Sequence, residues 1–502
     1  MPRIRNTHYL GSAAVLAILL VSGCAIGPDF TRPAPPVVKQ FTPDALPGST
    51  ASADVAGGEA QRFVEGRDIP AEWWTLFQSP ALDTLMKQAI KSNPDLQSAI
   101  AALRIAKENT AAQVGAYFPT IEANASPARY HNSTVLSPTL NAYQPYFNLY
   151  TAQVSADWTL DIWGGNRRAV ESLHATADAQ RFEVEAAYLT LTSALAGAAI
   201  QEASLRVQLA SMQDIVKAET ASLDILQRQL NLGQVSGADV AAQEAALAQV
   251  QQALPPLQKQ LAQERDLITV LAGQFPSDQV PETFELETLV VPQELPVGIP
   301  SKLVDQRPDI RAAEETLHAA SAQIGVAEAN MLPNLTLSAA DGTAATRLAG
   351  LFVPGNGYWS IAAGLTQPIF DGGTLLHKTR AARAAYDQAF AQYRSTVLTA
   401  FQNVADTLYA IRSDADALKA AVASENAAAK SLASAQLRLK LGDVNVLAVL
   451  NAQQTYQQAV ISLAQARAAR FADTVALFQA LGGGWWNRNK SAAPAKEDTA
   501  AK

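Results

Sequence analysis

One thiol, Cys24, is the only cysteine in 502 residues, and its place in the chain limits its chemistry. A disulfide needs a second cysteine, so internal bridging is excluded. Arg3 and Arg5 precede an apolar segment, Leu10 to Val21, that is too short to span a bilayer but suits a secretory leader. The segment runs into Val21-Ser22-Gly23-Cys24, which resembles a bacterial lipobox: small residues, then a cysteine that is acylated after the leader is cleaved. A signal peptide over residues 1–23 is expected, with a covalent lipid on Cys24 and no other cofactor. A diacylglycerol plus an N-acyl chain exceeds the two hydrophobic signals that stable anchoring needs. Ala25 stands where an aspartate would favour inner-membrane retention, so the outer membrane is the expected address.

Elsewhere the reactive side chains do not assemble into a catalytic set. His8, His131, His174, His318 and His377 are scattered with no metal-ligand spacing. No Gly-x-Ser-x-Gly motif occurs, and no phosphate-binding glycine loop. The chain is therefore expected not to be an enzyme and to hold no metal. Asp239 and Gln243 lie four apart, and hence on one face of a helix. Repeated around a symmetry axis, Asp239 would form a ring that attracts cations and repels anions. A carboxylate there also suits a helix N-terminus, and both roles fit the position. The net charge of −8 (38 basic, 46 acidic residues) becomes about −10 without Arg3 and Arg5. With no basic run, nucleic-acid binding is excluded.

The elements that carry these residues occur twice. Asn93-Pro94-Asp95 and Arg307-Pro308-Asp309 open helical runs that end at Phe118-Pro119 and Leu332-Pro333, a shift of 214 (308 − 94). Ile162-Trp163-Gly164-Gly165 faces Phe370-Asp371-Gly372-Gly373 at a shift of 208 (372 − 164). Leu232-Gly233-Gln234-Val235-Ser236 faces Leu441-Gly442-Asp443-Val444-Asn445 at 209 (441 − 232), and Leu271-Ala272-Gly273 faces Leu481-Gly482-Gly483 at 210 (481 − 271). A shift this constant marks a duplicated unit, far too long for a solenoid repeat.

Each copy predicts long helices and a β-hairpin. Residues 166–231 contain no proline and one glycine, Gly197, enough for a rod of ~100 Å. Leu205, Leu209, Met212, Val216, Leu223, Leu226 and Leu230 recur at steps of three and four, with Glu219 in the one missing place. A return helix over about 238–272 repeats the rhythm, with Glu264 in register and a kink or restart expected at Pro255-Pro256. The second copy matches, with helices over about 308–331, 374–441 and 446–481. A seven-residue apolar repeat is the signature of helices packed as coiled coil. Tyr150, Ala152, Val154, Ala156, Trp158 and Leu160 alternate with Thr151, Gln153, Ser155, Asp157, Thr159 and Asp161. Period two over this length suits a transmembrane strand, with Asp157 and Asp161 wetting a channel. The hairpins are expected over about 120–161 and 334–368. Four strands cannot close a barrel around a channel, and lipid forbids open edges, so three copies supplying twelve strands are expected. Residues 24–66 read as an extended tether, 67–283 and 284–483 as the two copies, and 484–502 as a disordered tail.

This arrangement resembles the TolC-like outer-membrane factors of tripartite efflux pumps, in their NodT-like lipoprotein branch. The resemblance rests on Gly23-Cys24, Gly27-Pro28-Asp29-Phe30 with Pro33, Trp73-Trp74 with Phe77 and Leu82, and Asn93-Pro94-Asp95. In the second copy it rests on Arg307-Pro308-Asp309-Ile310, Ala327 with Pro333, Gln367 to Gly373, and Val449-Leu450-Asn451-Ala452-Gln453. It implies a homotrimer in which a twelve-stranded barrel in outer-membrane lipid continues into a coiled-coil helical barrel. It also implies a periplasmic adaptor and an inner-membrane transporter of the resistance-nodulation-division class. Trp73-Trp74 would belong to an equatorial collar. The two helix turns would form the periplasmic mouth, with Leu232, Gly233, Val235, Ser236, Leu441, Gly442 and Val444 as adaptor-docking residues. Asp239, Gln243, Asp443, Asn445, Leu447, Leu450 and Asn451 are the expected gate residues. Where the family often has acidic residues in the second turn, Ala448 and Asn451 are uncharged, so closure by packing and hydrogen bonds is expected. A protein-secretion channel of the same architecture, or a lipid-anchored coiled-coil scaffold without a pore, would share many of these features.

Overall fold

Glycine and proline mark where each rod begins and ends. The computed structural model describes residues 25–131 and 146–488; the leader, Cys24, part of the first hairpin loop and the tail from residue 489 lie outside the described residues. The chain runs through β1 (Arg62–Glu65), a 3-10 turn at Trp73–Phe77, α1 (Pro80–Ser92), α2 (Pro94–Val114), β2 (Thr120–His131), β3 (Tyr146–Leu160), α3 (Gly165–Asn231) and α4 (Gly237–Leu271). The second copy follows with β4 (Glu294–Val297), α5 (Pro300–Gln306), α6 (Pro308–Ala329), β5 (Asn334–Ala345), β6 (Gly357–Thr366), α7 (Thr374–Lys440) and α8 (Val446–Ala480). The two rods, α3 and α7, have 67 residues each.

Both rods start from the same device. Asp161 accepts hydrogen bonds from the amides of Asn166 and Arg167, each at 2.9 Å. Asp371, 210 positions later (371 − 161), accepts from Gly373 at 2.9 Å and Leu375 at 2.8 Å. A carboxylate there satisfies amides that have no partner within the helix and meets the positive end of its dipole. Asp161, expected to wet a channel, is thus a helix cap. The expected restart at Pro255-Pro256 is also absent, since α4 runs through both prolines. They lie on the exposed side, where water can satisfy the carbonyls freed of their usual donors.

The described residues divide into two units. The first holds the described part of Met1–Arg32 together with Leu103–Gln180 and Ala313–Tyr393. Its sheet has the order β2-β3-β5-β6, antiparallel throughout. Register places Ile121 beside Ala156, Trp158 beside Leu337, Leu335 beside Leu365, and Ala339 beside Ile361 on one face. Thr120, Glu122 and Asn124 pair with Asp157, Ser155 and Gln153 on the other. The apolar face is bare: Ile121, Trp359, Ile361 and Leu365 are all at least 70% exposed. The outer edges of β2 and β6 have no partner strand among the described residues.

The stretch read as a tether is extended but packed. Ile26 donates its amide to the Trp163 carbonyl (3.0 Å), and Arg168, buried, bonds the carbonyls of Ile26 and Gly27 and the carboxylate of Asp29. Phe30 stacks on His318 at 4.4 Å between ring centroids. In the second unit, comprising Pro33–Ala102, Arg181–Ala312 and the described part of Arg394–Lys502, β1 pairs parallel with β4. Trp73, Trp74 and Phe77 are buried there, with Trp73 stacked on Phe478 at 5.4 Å and Phe77 against Phe471 at 6.3 Å. The expected tail is ordered over its first residues: Trp485 Nε1 donates to the Gln306 carbonyl (2.7 Å), and Trp486 Nε1 to Asp68 (2.9 Å).

Candidate functional site at the helix turns

The two turns that reverse the rods lie in the second unit. Each turn contains a glycine with positive φ, Gly233 at 70° and Gly442 at 76°. No atom lies near either glycine's missing Cβ, so the left-handed backbone alone calls for glycine. Each turn then supplies the cap of its return helix. Ser236 Oγ accepts from the Asp239 amide (3.3 Å) and Asn445 Oδ1 from the Ala448 amide (3.1 Å).

The copies differ in charge. Asp239 Oδ2 accepts from both the amide (3.0 Å) and the hydroxyl (2.7 Å) of Ser236, completing a capping box. These bonds hold its carboxyl below the ordinary aspartate range. Ala448 occupies the matching place in the second turn and cannot do the same. There Asp443 instead accepts from Arg438 Nε at 2.7 Å. Gln243, expected beside Asp239 at the gate, is buried in the bundle. Its Nε2 donates to the Glu219 carbonyl (3.3 Å) and, in a short contact, to Glu219 Oε2. The inward stripe of α4 is Val240, Gln243 and Val250, and Asp239 sits one residue off it.

Leu226, Val240, Val446 and Leu450 form a buried cluster that joins α3, α4 and α8, with Val235 packed against it. Val235, expected as a docking contact, is therefore partly taken up by this core. Each such side chain contributes about 1.5–3 kcal/mol when buried. Leu450 likewise belongs to the cluster, and Asn445 to a cap. Leu232 and Leu441, equivalent in the two copies, are 71% and 74% exposed. Leu447 and Asn451 are exposed as well, and Val444 is half-buried. Between the turns runs a groove of about 810 Å³ lined by Gln229, Gln234, Val235, Gln436, Lys440 and Val444 among others. Among the described residues no cluster of side chains could hold a metal ion, and no helix is long and apolar enough to cross a membrane.

The family described as outer membrane efflux protein matches residues 85–274 and 299–483. The chain belongs to that family. One matched stretch falls within each of the two expected copies. As a member of the efflux family, the chain is 31% identical over 491 residues to the toluene efflux pump outer membrane protein TtgF of Pseudomonas putida, covering 96% of this chain and 98% of that one. It is 29% identical to the outer membrane protein OprJ of Pseudomonas aeruginosa, covering 95% and 96%. Its fold superposes on the outer-membrane channel OprN with a TM-score of 0.81 at 26% identity, over 92% of this chain and 100% of that one. It superposes on VceC of Vibrio cholerae with a TM-score of 0.75 at 25% identity, over 83% and 100%. The efflux protein thus has the TolC-like fold, helical rods with a β-sheet portion, and is an outer membrane channel component of an efflux pump. The family is a channel family, non-enzymatic in kind.

Proposed function

We propose that the protein is a passive exit duct for small organic molecules, working as a homotrimer anchored in the outer membrane through acylated Cys24. The observation that carries this reading is the four-stranded sheet with one apolar and one polar face and two unpartnered edges. Lipid tolerates such a sheet only when its edges are closed, and two further copies of the chain would close them. The helical parts would extend into the periplasm and meet an adaptor, which links them to an inner-membrane transporter of the resistance-nodulation-division class. Energy for export would come from that transporter. Of the residues expected at the periplasmic mouth, Leu232 and Leu441 keep exposed apolar side chains and are the docking contacts we favour; Leu447 and Asn451 face outward as gate candidates. Toluene and antibiotics are named for relatives, and compounds of that size and polarity are the proposed cargo here.

Electron microscopy of the mature protein in lipid nanodiscs tests this reading. A threefold particle with a closed barrel is expected, and a monomer or a rod without a lumen would overturn it. Mass spectrometry of the N-terminal peptide tests the anchor: an acylated cysteine is expected, lost in Cys24→Ala.

A further inference from the structure

Glu219 occupies an apolar place in the heptad run of α3, and it is only 2% exposed. Gln243 of α4 donates to its carboxylate and to its backbone carbonyl. Gln453 of α8, also buried, presents its amide to the same carboxyl. One side chain therefore joins α3 to both return helices, two turns of helix away from the Leu226–Val240–Val446–Leu450 cluster.

Among the described residues no cation is part of this junction. On α3, Asp214 is largely exposed and is engaged by Lys217 at 2.9 Å. From α4 the facing group is the neutral Gln243; the acids near it on that helix are Glu244, which is exposed, and Asp239, off the inward stripe and held by Ser236. From α7, Leu432 and Gln436 line the small cavity beside Glu219, and from α8 Gln453, Tyr456 and Val460 do so. Contrast Glu202, also buried on α3: its Oε1 accepts from Arg206 at 2.7 Å and from Arg265 at 2.9 Å. Glu202 is neutralised by cations, and Glu219 is surrounded by amides. Burial accordingly pushes the Glu219 carboxyl above its ordinary range, against the pull of its two amide hydrogen bonds. A second atom fits this picture. Gln453 Oε1 is buried with no hydrogen-bond partner, and a half-turn of that amide would present it to a protonated Glu219, whose O–H is the donor it lacks.

We propose that Glu219 is a proton-operated latch on the turn end of the bundle. Neutral, it ties α3 to α4 and α8; ionised, it is a buried charge without a cation, and the return helices part from α3 to let water reach it. The sign follows from the direction of the shift. The latched state is fully stabilised below the ordinary glutamate value, and that stabilisation is lost as pH rises through the raised one. The inference rests on the reading that the turns form the mouth of the duct, so that loosening them opens it.

The test is conductance of the purified full-length trimer in planar bilayers from about pH 5 to about pH 9. Wild-type conductance is expected to rise several-fold with pH, while Glu219→Gln, neutral and similar in shape, stays low and flat. A Glu219→Gln channel that keeps the wild-type pH profile, or a wild type with no pH response, would overturn the latch while leaving the duct intact. A protein with no conductance at any pH would sink the duct reading and the latch with it. Hydrogen exchange on the wild-type trimer needs no variant. Protection at residues 226–240 and 446–456, corrected for intrinsic rates, is expected to fall as pH rises, and constant protection would refute the proposal.

Discussion

Gly27 and Gly325 meet backbone to backbone: a Cβ on Gly27 would overlap the Gly325 Cα, and one on Gly325 would overlap the Ile26 carbonyl oxygen. Gly325 lies inside α6, where alanine would ordinarily stabilise by about 1 kcal/mol. Here the contact should reverse the sign. Gly325→Ala is expected to destabilise the first unit by about 1–3 kcal/mol, read as a lower melting temperature and faster proteolysis within residues 25–32. A stabilised Gly325→Ala protein would mean that the N-terminal segment does not pack on α6 in solution. The contact matters because residues 25–32 directly follow Cys24, so their docking would fix where the proposed acyl anchor joins the sheet-bearing unit.

The turns separate docking from stability. Leu232→Asp combined with Leu441→Asp should leave the trimer and its melting temperature unchanged, because both side chains stand in solvent. It should abolish co-purification with the proposed adaptor and export of the proposed cargo. Val235→Asp should instead lower stability, since it puts a carboxylate against the Leu226–Val240–Val446–Leu450 cluster. Ser236→Ala removes a cap and should cost about 1 kcal/mol. That cap works with an Asp239 carboxyl held below its ordinary range. Its contribution is present above the ordinary aspartate value and lost as pH falls through the lowered one. Export failing equally in all three variants, with assembly intact in each, would remove the distinction.

Periodicity made the rods and strands legible, and with them the fold. Leu205 to Leu230 on α3, and the alternation from Tyr150 to Leu160, are long enough for a repeating pattern to outweigh any single residue. The turn side chains were not legible in the same way. Asp239 and Gln243 share a face by arithmetic, yet at the start of a helix a side chain can fold back to the cap, while the stripe one residue over points inward. Glu219 was visible as a gap in the heptad run, but its partner Gln243 lies 24 residues on and Gln453 in the other copy; no periodicity links them. The packing of Ala25 to Arg32 leaves no mark in the sequence, because extended chain docked through glycines and backbone carbonyls has no period. Asp161 and Asp371 could have been found from the constant shift between copies.

A pair of acids joins α7 to α8 in the second unit. Asp473 is hydrogen-bonded to Asp414, and its carboxyl is pushed up to about 7 by burial and by that second carboxylate. A buried carboxyl beside a second carboxylate is costly to ionise. The junction is therefore strongest below the ordinary aspartate value, and its contribution is lost as pH rises through about 7. Asp414→Asn should keep the hydrogen bond and remove the repulsion. Melting temperatures measured across this range should fall with pH in the wild type and stay flatter in the variant. Parallel curves would show that the pair does not titrate as described.

If the mouth is shut by packing, leak current should track the buried cluster and not the exposed charges. Leu450 is 8% exposed and joins Val446 to Leu226 and Val240, so Leu450→Ala leaves a cavity where the two copies meet. Large-to-small substitutions of this kind cost about 2–5 kcal/mol when the site cannot collapse. The Asp443–Arg438 pair is 62% and 53% exposed, and such a pair contributes about 0–1 kcal/mol and is screened by salt. Leu450→Ala should therefore raise leak conductance of the adaptor-free trimer several-fold, and Asp443→Asn should change it little at moderate salt. Asn451→Ala should fall between the two, because Asn451 faces outward beside the cluster without belonging to it. A leak that follows Asp443→Asn and ignores Leu450→Ala would mean that charge at the rim closes the mouth, with the tip cluster holding the bundle together and nothing more.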